Sequence, residues 1–176
     1  AIVLACETDF VSRNEKFRAF IKQLANQICE QGADNLLAQP LVAGVGDVEA
    51  LLTGTIAELG ENMQILDSRK MEISNGTIGG YIHSNGKIGV AVPLETDQPC
   101  DDVRLETLAR DIAMHIAAFP AEAVKADQVS SEVLEKEKDV FTAQARESGK
   151  ADNIIEKMIG GRLNKFLKEI CVESQP

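Results

Sequence analysis

The stretch CETDFVSRN, residues 6–14, decides how the rest of the chain is interpreted. It follows a short apolar run and precedes a segment with strong helical periodicity. Its short polar side chains bond to backbone N–H groups, so they favour turns and helix starts over helix interiors. Ser12 and Glu15 have the spacing of a capping box. The pattern therefore predicts a strand, a polar turn that carries Phe10, and a helix from about Asn14.

An aromatic side chain in this polar turn has two interpretations. Phe10 can pack back on its own helix as a staple residue, or the turn can present it to a partner. Without further context the staple is the simpler interpretation. The helix that follows has apolar residues three and four positions apart, so it buries one face. That stripe consists of Phe17, Phe20, Ile21, Leu24 and Ile28. The helix is expected to end at Gln31-Gly32.

Length and composition describe an ordinary globular chain. Its 176 residues are 44% hydrophobic and 26% charged, enough for one sizeable domain or two small ones with an apolar core. The formal net charge of −10 argues against direct binding of nucleic acid. Four scattered cysteines without a Cys-x-x-Cys pair indicate a reducing compartment. No run reaches transmembrane length and no signal peptide is visible, so we expect no membrane partner.

Two further helices and a helical hairpin follow from the pattern. Asp47 caps a helix that runs to about Leu59 and ends at Gly60. A third helix begins near Pro99 and ends before Pro120. Its predicted stripe is Leu105, Leu108, Ile112, Ile116 and Phe119. After Ser130, apolar residues spaced by heptads, a turn at 147–150 and a second apolar arm from Asp152 predict two antiparallel helices with a coiled-coil seam.

The segment 63–94 changes to an apolar period of two, which predicts strands. Asn85-Gly86 is typical of a two-residue type I′ hairpin turn. That register pairs Ser84 with Lys87, His83 with Ile88, and Tyr81 with Val90. The face with Tyr81, Ile88, Val90 and Val92 is expected to meet the core. The glycines on the opposite face would let another element approach closely.

Catalytic and cofactor motifs are absent from the sequence. His83 and His115 are the only histidines, and nothing in the spacing supports a Cys6–His83 nucleophile pair. The glycines at 44–46 lack the spacing and the lysine of a phosphate-binding loop, so we expect the protein not to bind nucleotide itself. No residue cluster has metal-ligand spacing, and no cofactor is predicted. His115 lies beside an apolar stripe, which favours a structural role.

Five motifs resemble the elongation factor Ts family, in order and over nearly the whole chain. They are TDFV at 8–11, LGEN at 59–62, GYIH at 80–83 with KIGV at 87–90, AMHIA at 113–117, and EKMI at 156–159 with GR at 161–162. The family's members are guanine nucleotide exchange factors for elongation factor Tu. The resemblance therefore implies a role in translation elongation, a GTPase partner, and no enzymatic activity of its own. It also implies a cytoplasmic location of bacterial type, with an organellar homologue as the alternative.

The resemblance also implies which residues bind the partner. It assigns the displacement of Mg²⁺ from the GTPase to Thr8, Asp9, Phe10 and Val11. It implies further partner contacts for Gly60, His83 and Gly86. The implied mechanism is differential binding: a factor that binds the GTPase best without nucleotide must weaken nucleotide binding by the same coupling energy.

The predicted fold class is α+β, with helices packed on small antiparallel β-sheets in two subdomains and a projecting antiparallel helical hairpin. We expect residues 1–62 to be the N-terminal core subdomain, incomplete at its start, and residues 63–120 to be the C-terminal core subdomain with the β-hairpin. Residues 121–176 are expected to form the helical hairpin, a coiled-coil region for a homodimer. The family's N-terminal helical module should precede Ala1, and its last strand and C-terminal segment should follow Pro176.

A function of a different class also fits the sequence: an acidic coiled-coil dimerisation scaffold without exchange activity. Its working part would be the hairpin from Ser130 to Val172, and Phe10 would be a core residue. Timing GDP release from elongation factor Tu distinguishes the two functions.

Overall fold

The computed structural model describes residues 1–100, 102–147 and 152–175. The chain divides into two compact units, Ala1–Arg110 and Asp111–Pro176. The first contains, in chain order, β1 (Ile2–Cys6), α1 (Asp9–Arg13), α2 (Glu15–Gln31), α3 (Val48–Leu59), β2 (Met63–Ser68), β3 (Gly76–Ile82), β4 (Gly89–Glu95) and the first half of α4 (Val103–Ala118). The second contains the rest of α4, α5 (Ser131–Glu147) and α6 (Asp152–Ile170). Short 3₁₀ turns lie at Leu36–Ala38, Ala126–Gln128 and Val172–Ser174.

Two small antiparallel sheets confirm the predicted α+β class. Strand β1 pairs with β2, and β3 pairs with β4. Helix α2 packs its apolar face against the first sheet and against α3. That core contains Phe20, Leu24, Ile28, Leu36 and Val48, with Ile2, Leu4 and Ile65 from the strands packed against it.

Helices α2 and α3 end where the sequence predicts. Gly32 has φ 86° after α2, and Gly60 has φ 73° after α3, values that a residue without Cβ adopts at little cost. Asp47 caps α3, because its side chain accepts the Ala50 N–H at 2.8 Å. The stripe of α2 is also confirmed: Phe17 and Leu24 are among its buried residues.

The predicted capping box at Ser12 is wrong. Ser12 lies inside α1, and its hydroxyl donates to the Asp9 carbonyl at 2.9 Å. Thr8 caps α1, and Asn14 separates the two helices and caps α2, accepting the Lys16 N–H at 2.8 Å. Because Thr8, Ser12 and Asn14 are all good N-cap residues, the sequence does not show how many helices begin here.

The turn between β3 and β4 differs from the predicted type I′ turn. Both central residues of that turn need a positive φ, but Asn35 is the only non-glycine residue with one in the described chain. Asn85 therefore does not adopt it. The Gly86 N–H donates to the His83 carbonyl at 2.8 Å, and Gly86 has φ 69°. In the observed turn both central residues have negative φ, and Gly86, in the left-handed region, follows them. This arrangement is typical of longer hairpin loops.

The predicted register of the hairpin is confirmed. Tyr81 lies opposite Val90 in the ladder, and the His83 N–H donates to the Ile88 carbonyl at 2.9 Å. Val92 is buried, as expected for the face that meets the core, but Ile88 is 41% exposed, so the prediction is wrong at that position near the hairpin tip.

Close approach occurs at Gly79, on the core face, and not at the glycines of the opposite face, so that prediction is wrong. Gly79 lies opposite Val92 and therefore on the same face. A Cβ on Gly79 would lie 2.4 Å from the Ala109 Cβ and 2.5 Å from the Ala109 carbonyl carbon. A Cβ on Gly80 or Gly89 would meet nothing within 4 Å. Helix α4 thus packs directly on the β3 backbone.

Small residues form the centre of the buried face of α4. Ala109 and Ala113 are both fully buried. The predicted stripe is wrong at two of its positions, because Leu108 is 51% exposed and Phe119 is 57% exposed. The close approach at Gly79 explains the alanine at position 109, since a larger side chain there would hold the helix away from the strand.

The second unit contains the predicted pair of helices, α5 and α6. Their shared apolar cluster consists of Phe141, Ala145, Ile155, Ile159 and Leu163. The Arg162 guanidinium donates to Gln144 at 2.7 Å and lies 5.7 Å from the Phe141 ring centroid. Of the turn predicted at 147–150, residues 148–150 lie outside the described residues.

We expect Gly79→Ala to lower the free energy of unfolding by about 1–3 kcal/mol, because the added methyl forces β3 and α4 apart. Gly80→Ala, on the open face of the same strand, is the matched control and should change it by less than about 1 kcal/mol. Urea unfolding of both variants measures the difference. Equal losses in the two variants would contradict the close contact between Gly79 and Ala109.

Candidate functional site

The turn between β1 and α2 is built around Thr8, the N-cap of α1. Thr8 has extended backbone angles, φ −126° and ψ 157°, and its hydroxyl accepts the Val11 N–H at 3.4 Å. The Ser12 N–H donates to the Thr8 carbonyl at 3.3 Å, which closes the single turn of α1. Helix α1 has only five residues. A helix this short is not stable in isolation, so its position depends on what holds its ends.

Val11 holds one end of α1 in the core. Its side chain is 8% exposed and clusters with Phe17 and Met63. The Asn14 N–H donates to the Val11 carbonyl at 2.9 Å, which continues the chain directly into α2.

Glu61 holds the other end. One oxygen of its carboxylate accepts the Thr8 N–H at 2.9 Å, and the other accepts the Thr8 hydroxyl. Glu61 directly follows Gly60, whose left-handed conformation ends α3. Gly60, predicted as a partner contact, thus lies next to the residue that binds the Thr8 turn.

Phe10 projects between these two anchors. Its side chain is 84% exposed, whereas the next residue, Val11, is buried. The staple interpretation of Phe10 is therefore wrong, since a staple residue packs against its own helix. Asp9 and Arg13 form an ion pair at 3.3 Å along the exposed surface of α1. Such a surface pair stabilises the helix little.

Cys6, at the end of β1, is not activated for chemistry. Its thiol donates to the Thr8 carbonyl at 3.2 Å. Burial raises the pKa of the Cys6 thiol above its ordinary value, and the nearby Glu61 carboxylate raises this pKa further. A raised pKa lowers the thiolate fraction at neutral pH, and the thiolate is the nucleophile. Cys6 is better explained as a small residue that joins β1 to the Thr8 turn.

His83 and Gly86 lie together at the tip of the β3–β4 hairpin. The His83 side chain is exposed, and its Nδ1 lies 3.0 Å from the Tyr81 hydroxyl. The rings of Tyr81 and His83 are 6.1 Å apart. Tyr81 thus orients an imidazole that is open to solvent.

His115 has structural contacts, in agreement with its predicted role. Its Nε2 lies 2.9 Å from the Gln175 Oε1, and its ring lies 5.1 Å from the ring of Phe119. Gln175 also donates to the Phe119 carbonyl at 3.3 Å. These contacts tie the end of α4 to the last described residue within the second unit.

The candidate residues thus form two groups: Thr8, Asp9, Phe10 and Val11 with the adjacent Gly60, and His83 with Gly86. Glu61 stands within the LGEN motif, but the sequence predicts no contact for it. The feature that could have identified this contact is the β1–β2 register, which is known only once β1 is paired with β2. Within the described residues, no cluster of three or more His, Cys, Asp or Glu could hold a metal ion. Among the helices that the structure describes, none has the length and apolar composition to cross a bilayer.

An exposed aromatic side chain on a short helix anchored at both ends is typical of a protein-binding surface. A sequence profile described as "Elongation factor TS" matches residues 7–176. The chain belongs to the elongation factor Ts family.

Bacterial relatives named "Elongation factor Ts" agree with this assignment. The chain is 43% identical over 175 residues to the protein of Trichlorobacter lovleyi, with 96% of this chain and 56% of the relative covered. It is 41% identical over 179 residues to that of Clostridium novyi, covering 99% and 58%. It is 43% identical over 171 residues to that of Acidithiobacillus ferrooxidans, covering 97% and 56%. The chain spans slightly more than half the length of these relatives.

Proposed function

We propose that this chain acts in translation elongation as the core of a guanine nucleotide exchange factor for elongation factor Tu. The observation that carries the proposal is Phe10, an 84% exposed aromatic side chain on a helix fixed at both ends. Membership in the elongation factor Ts family supports the choice of partner. The activity consists of binding and makes or breaks no bond, so the protein is not an enzyme and uses no cofactor.

The proposed mechanism is a thermodynamic linkage between two ligands of the GTPase. The factor binds the nucleotide-free GTPase more tightly than the GDP-bound form, so it weakens GDP binding by the same factor. Coupling free energies of this kind are typically about 1–3 kcal/mol, a change in affinity of about 5- to 150-fold. The factor leaves when nucleotide binds again.

The Thr8–Val11 turn is the proposed element that removes Mg²⁺ from the GTPase. Phe10 inserts as a wedge between elements of the partner, while Thr8, Asp9 and Val11 define the turn behind it. A bound divalent cation is often the largest local charge at a phosphate site, so moving the backbone that holds Mg²⁺ weakens the hold on the diphosphate. Gly60, beside this turn, is a proposed additional contact.

The tip of the β3–β4 hairpin is the proposed second contact with the same GTPase. His83 is exposed there and oriented by Tyr81. Gly86, at φ 69°, shapes the loop beside it. Two separate contacts on one partner raise affinity without either being large.

We further propose that the core contains two subdomains, 1–62 and 63–120, and that residues 121–176 form a coiled-coil region. Strand β2, the first strand of the second proposed subdomain, pairs with β1 of the first. The proposed location is the bacterial cytoplasm, in keeping with the bacterial relatives. Contact with nucleic acid or membrane forms no part of the proposal.

Phe10→Ala is expected to slow GDP release from elongation factor Tu by roughly 30-fold or more, because a buried aromatic anchor contributes about 2 kcal/mol or more at an interface. Its effect on folding should stay well below the ~3–5 kcal/mol of a core Phe→Ala change, since the ring is exposed. Stopped-flow release of fluorescent GDP and urea unfolding measure the two effects.

Phe119→Ala is the matched control for Phe10→Ala, because Phe119 is an exposed phenylalanine of the second unit. Its GDP release should stay close to wild type. Wild-type release with Phe10→Ala, together with a large loss of stability, would show that Phe10 has only a structural role.

His83→Ala should slow GDP release while changing the free energy of unfolding by less than about 0.5 kcal/mol, as expected of an exposed hairpin tip. Ser84→Ala, one residue further along the same tip, is the control and should leave both quantities unchanged. A loss of stability several times larger, with normal exchange, would assign His83 a structural role.

A homodimer through the α5–α6 pair is the second proposal, and its support is two exposed apolar side chains. Val140 on α5 is 43% exposed and Ile154 on α6 is 46% exposed, so both remain outside the cluster that joins the helices. Analytical ultracentrifugation should show a dimer that Val140→Glu dissociates. If the dimer forms and GDP release is absent, the protein is a dimerisation scaffold; a monomer at all concentrations would contradict the homodimer.

A further inference from the structure

Glu61 connects the loop after α3 to the turn before α1. Both oxygens of its carboxylate bind Thr8, one through the backbone N–H and one through the hydroxyl, across 53 positions of sequence. We propose that Glu61 is a positioning residue for exchange: it fixes the turn that presents Phe10 to the GTPase. This inference rests on the proposed function and adds to it a residue that acts through Phe10.

The position of Glu61 follows from the β1–β2 register. Cys6 lies opposite Met63 in the antiparallel ladder. Because the strands are antiparallel, each step forward from Cys6 corresponds to a step back from Met63. Two such steps would place Thr8 opposite Glu61. The backbone pairing stops at Cys6, and the Glu61 carboxylate then accepts the Thr8 N–H, which has no other acceptor among the described residues.

The Thr8 hydroxyl transmits this contact to α1. It donates to Glu61 and accepts the Val11 N–H. A hydroxyl has one proton, and a carboxylate can only accept, so the proton must point at Glu61. A lone pair is then left for the first turn of the helix. The cap of α1 is therefore held in its accepting orientation by a residue outside the helix.

The orientation of Phe10 depends on this cap because its own side chain is exposed and cannot fix it. Helix α1 has two anchors, the buried Val11 and the Thr8 turn. Removing Glu61 leaves the Val11 anchor and releases the N-terminal end of the helix. Phe10 would then sample more directions before binding, and that freedom must be lost when the complex forms. The expected effect is weaker binding and slower exchange.

Stability should respond much less than exchange. The bonds between Glu61 and Thr8 are exposed to solvent, so water can replace the carboxylate when it is removed. The core contacts of Val11 with Phe17 and Met63 do not involve Glu61. Substituting a residue whose role is only structural would lower stability strongly and slow exchange little.

The experiment measures the release of fluorescent GDP from elongation factor Tu by the full chain and its variants. Glu61→Ala is expected to slow release at sub-saturating factor by about tenfold, equivalent to about 1.4 kcal/mol. Glu61→Gln should have an intermediate effect, since its amide oxygen can accept from one donor while its NH₂ group faces the other. Glu58→Ala removes a nearby exposed carboxylate that pairs with Lys16 rather than Thr8, and should stay close to wild type.

A double-mutant cycle with Phe10 separates positioning from a purely structural role. If Glu61 acts through Phe10, Glu61→Ala in a Phe10→Ala background should slow release by less than about twofold more. Urea unfolding of each variant should give midpoints close to wild type. If Glu61→Ala does not fold, Glu61→Gln carries the same cycle.

Three outcomes would overturn the positioning role. GDP release at the wild-type rate with both Glu61→Ala and Glu61→Gln would directly contradict the positioning role. Effects of Glu61 and Phe10 that multiply in the double variant show that Glu61 acts independently of Phe10. Wild-type release with Phe10→Ala overturns the proposed wedge as well, whereas a slow Phe10→Ala with an unimpaired Glu61→Ala overturns the positioning role alone.

Discussion

The antiparallel pairing of β1 with β2 is the constraint on which the candidate site depends. It brings together two segments about sixty residues apart and sets Cys6 opposite Met63. The chain leaves β1 for α1 at the same end of the sheet where it arrives in β2 from α3. Met63, Val11 and Phe17 consequently share one apolar cluster. The short helix α1 is supported by this long-range contact and not by its own propensity, because a five-residue helix cannot pay the entropy of its nucleation.

Local interactions allow the sequence to predict the ends of α2 and α3 and the register of the hairpin, but not the cap at Ser12 or the type of the hairpin turn. Helix α2 has its apolar stripe and α3 its Asp47 cap within their own segments, each helix is followed by a glycine, and their ends lie where expected. The hairpin register is likewise local. Prediction also fails where contacts between residues distant in sequence determine the structure. Gly79 admits α4 because the helix docks on that face, which no strand pattern specifies. Of the site, the TDFV turn could be found from its motif, but Glu61 could not, because its contact with Thr8 appears only once β1 is paired with β2.

Helical geometry explains how an exposed aromatic residue can be held in a fixed direction. Successive residues of an α-helix point about 100° apart, so neighbours can face opposite environments. Val11 uses this difference to bury its side chain while Phe10 remains 84% exposed. The free energy that fixes the α1 backbone therefore comes from the burial of Val11 and not from Phe10, the residue presented to a partner. Phe10 can change its surroundings on binding without disturbing the core, which is the property that a binding anchor needs.

The magnitudes of Phe burial and of allosteric coupling are similar, which supports the proposal that one such residue supplies much of the coupling. Burying a phenylalanine side chain fully contributes about 1.5–3 kcal/mol. The coupling between two ligands of a protein is typically about 1–3 kcal/mol. A Phe10 pocket that exists only in the nucleotide-free partner would thus supply most of the coupling. If the pocket were equally open in the GDP-bound form, the same burial would strengthen binding to both states and release no nucleotide. Under the proposed mechanism, exchange would therefore depend less on how much surface Phe10 buries than on whether the pocket closes when nucleotide returns. A rigid, exposed turn suits this task, because it has little to reorganise on entering or leaving the pocket.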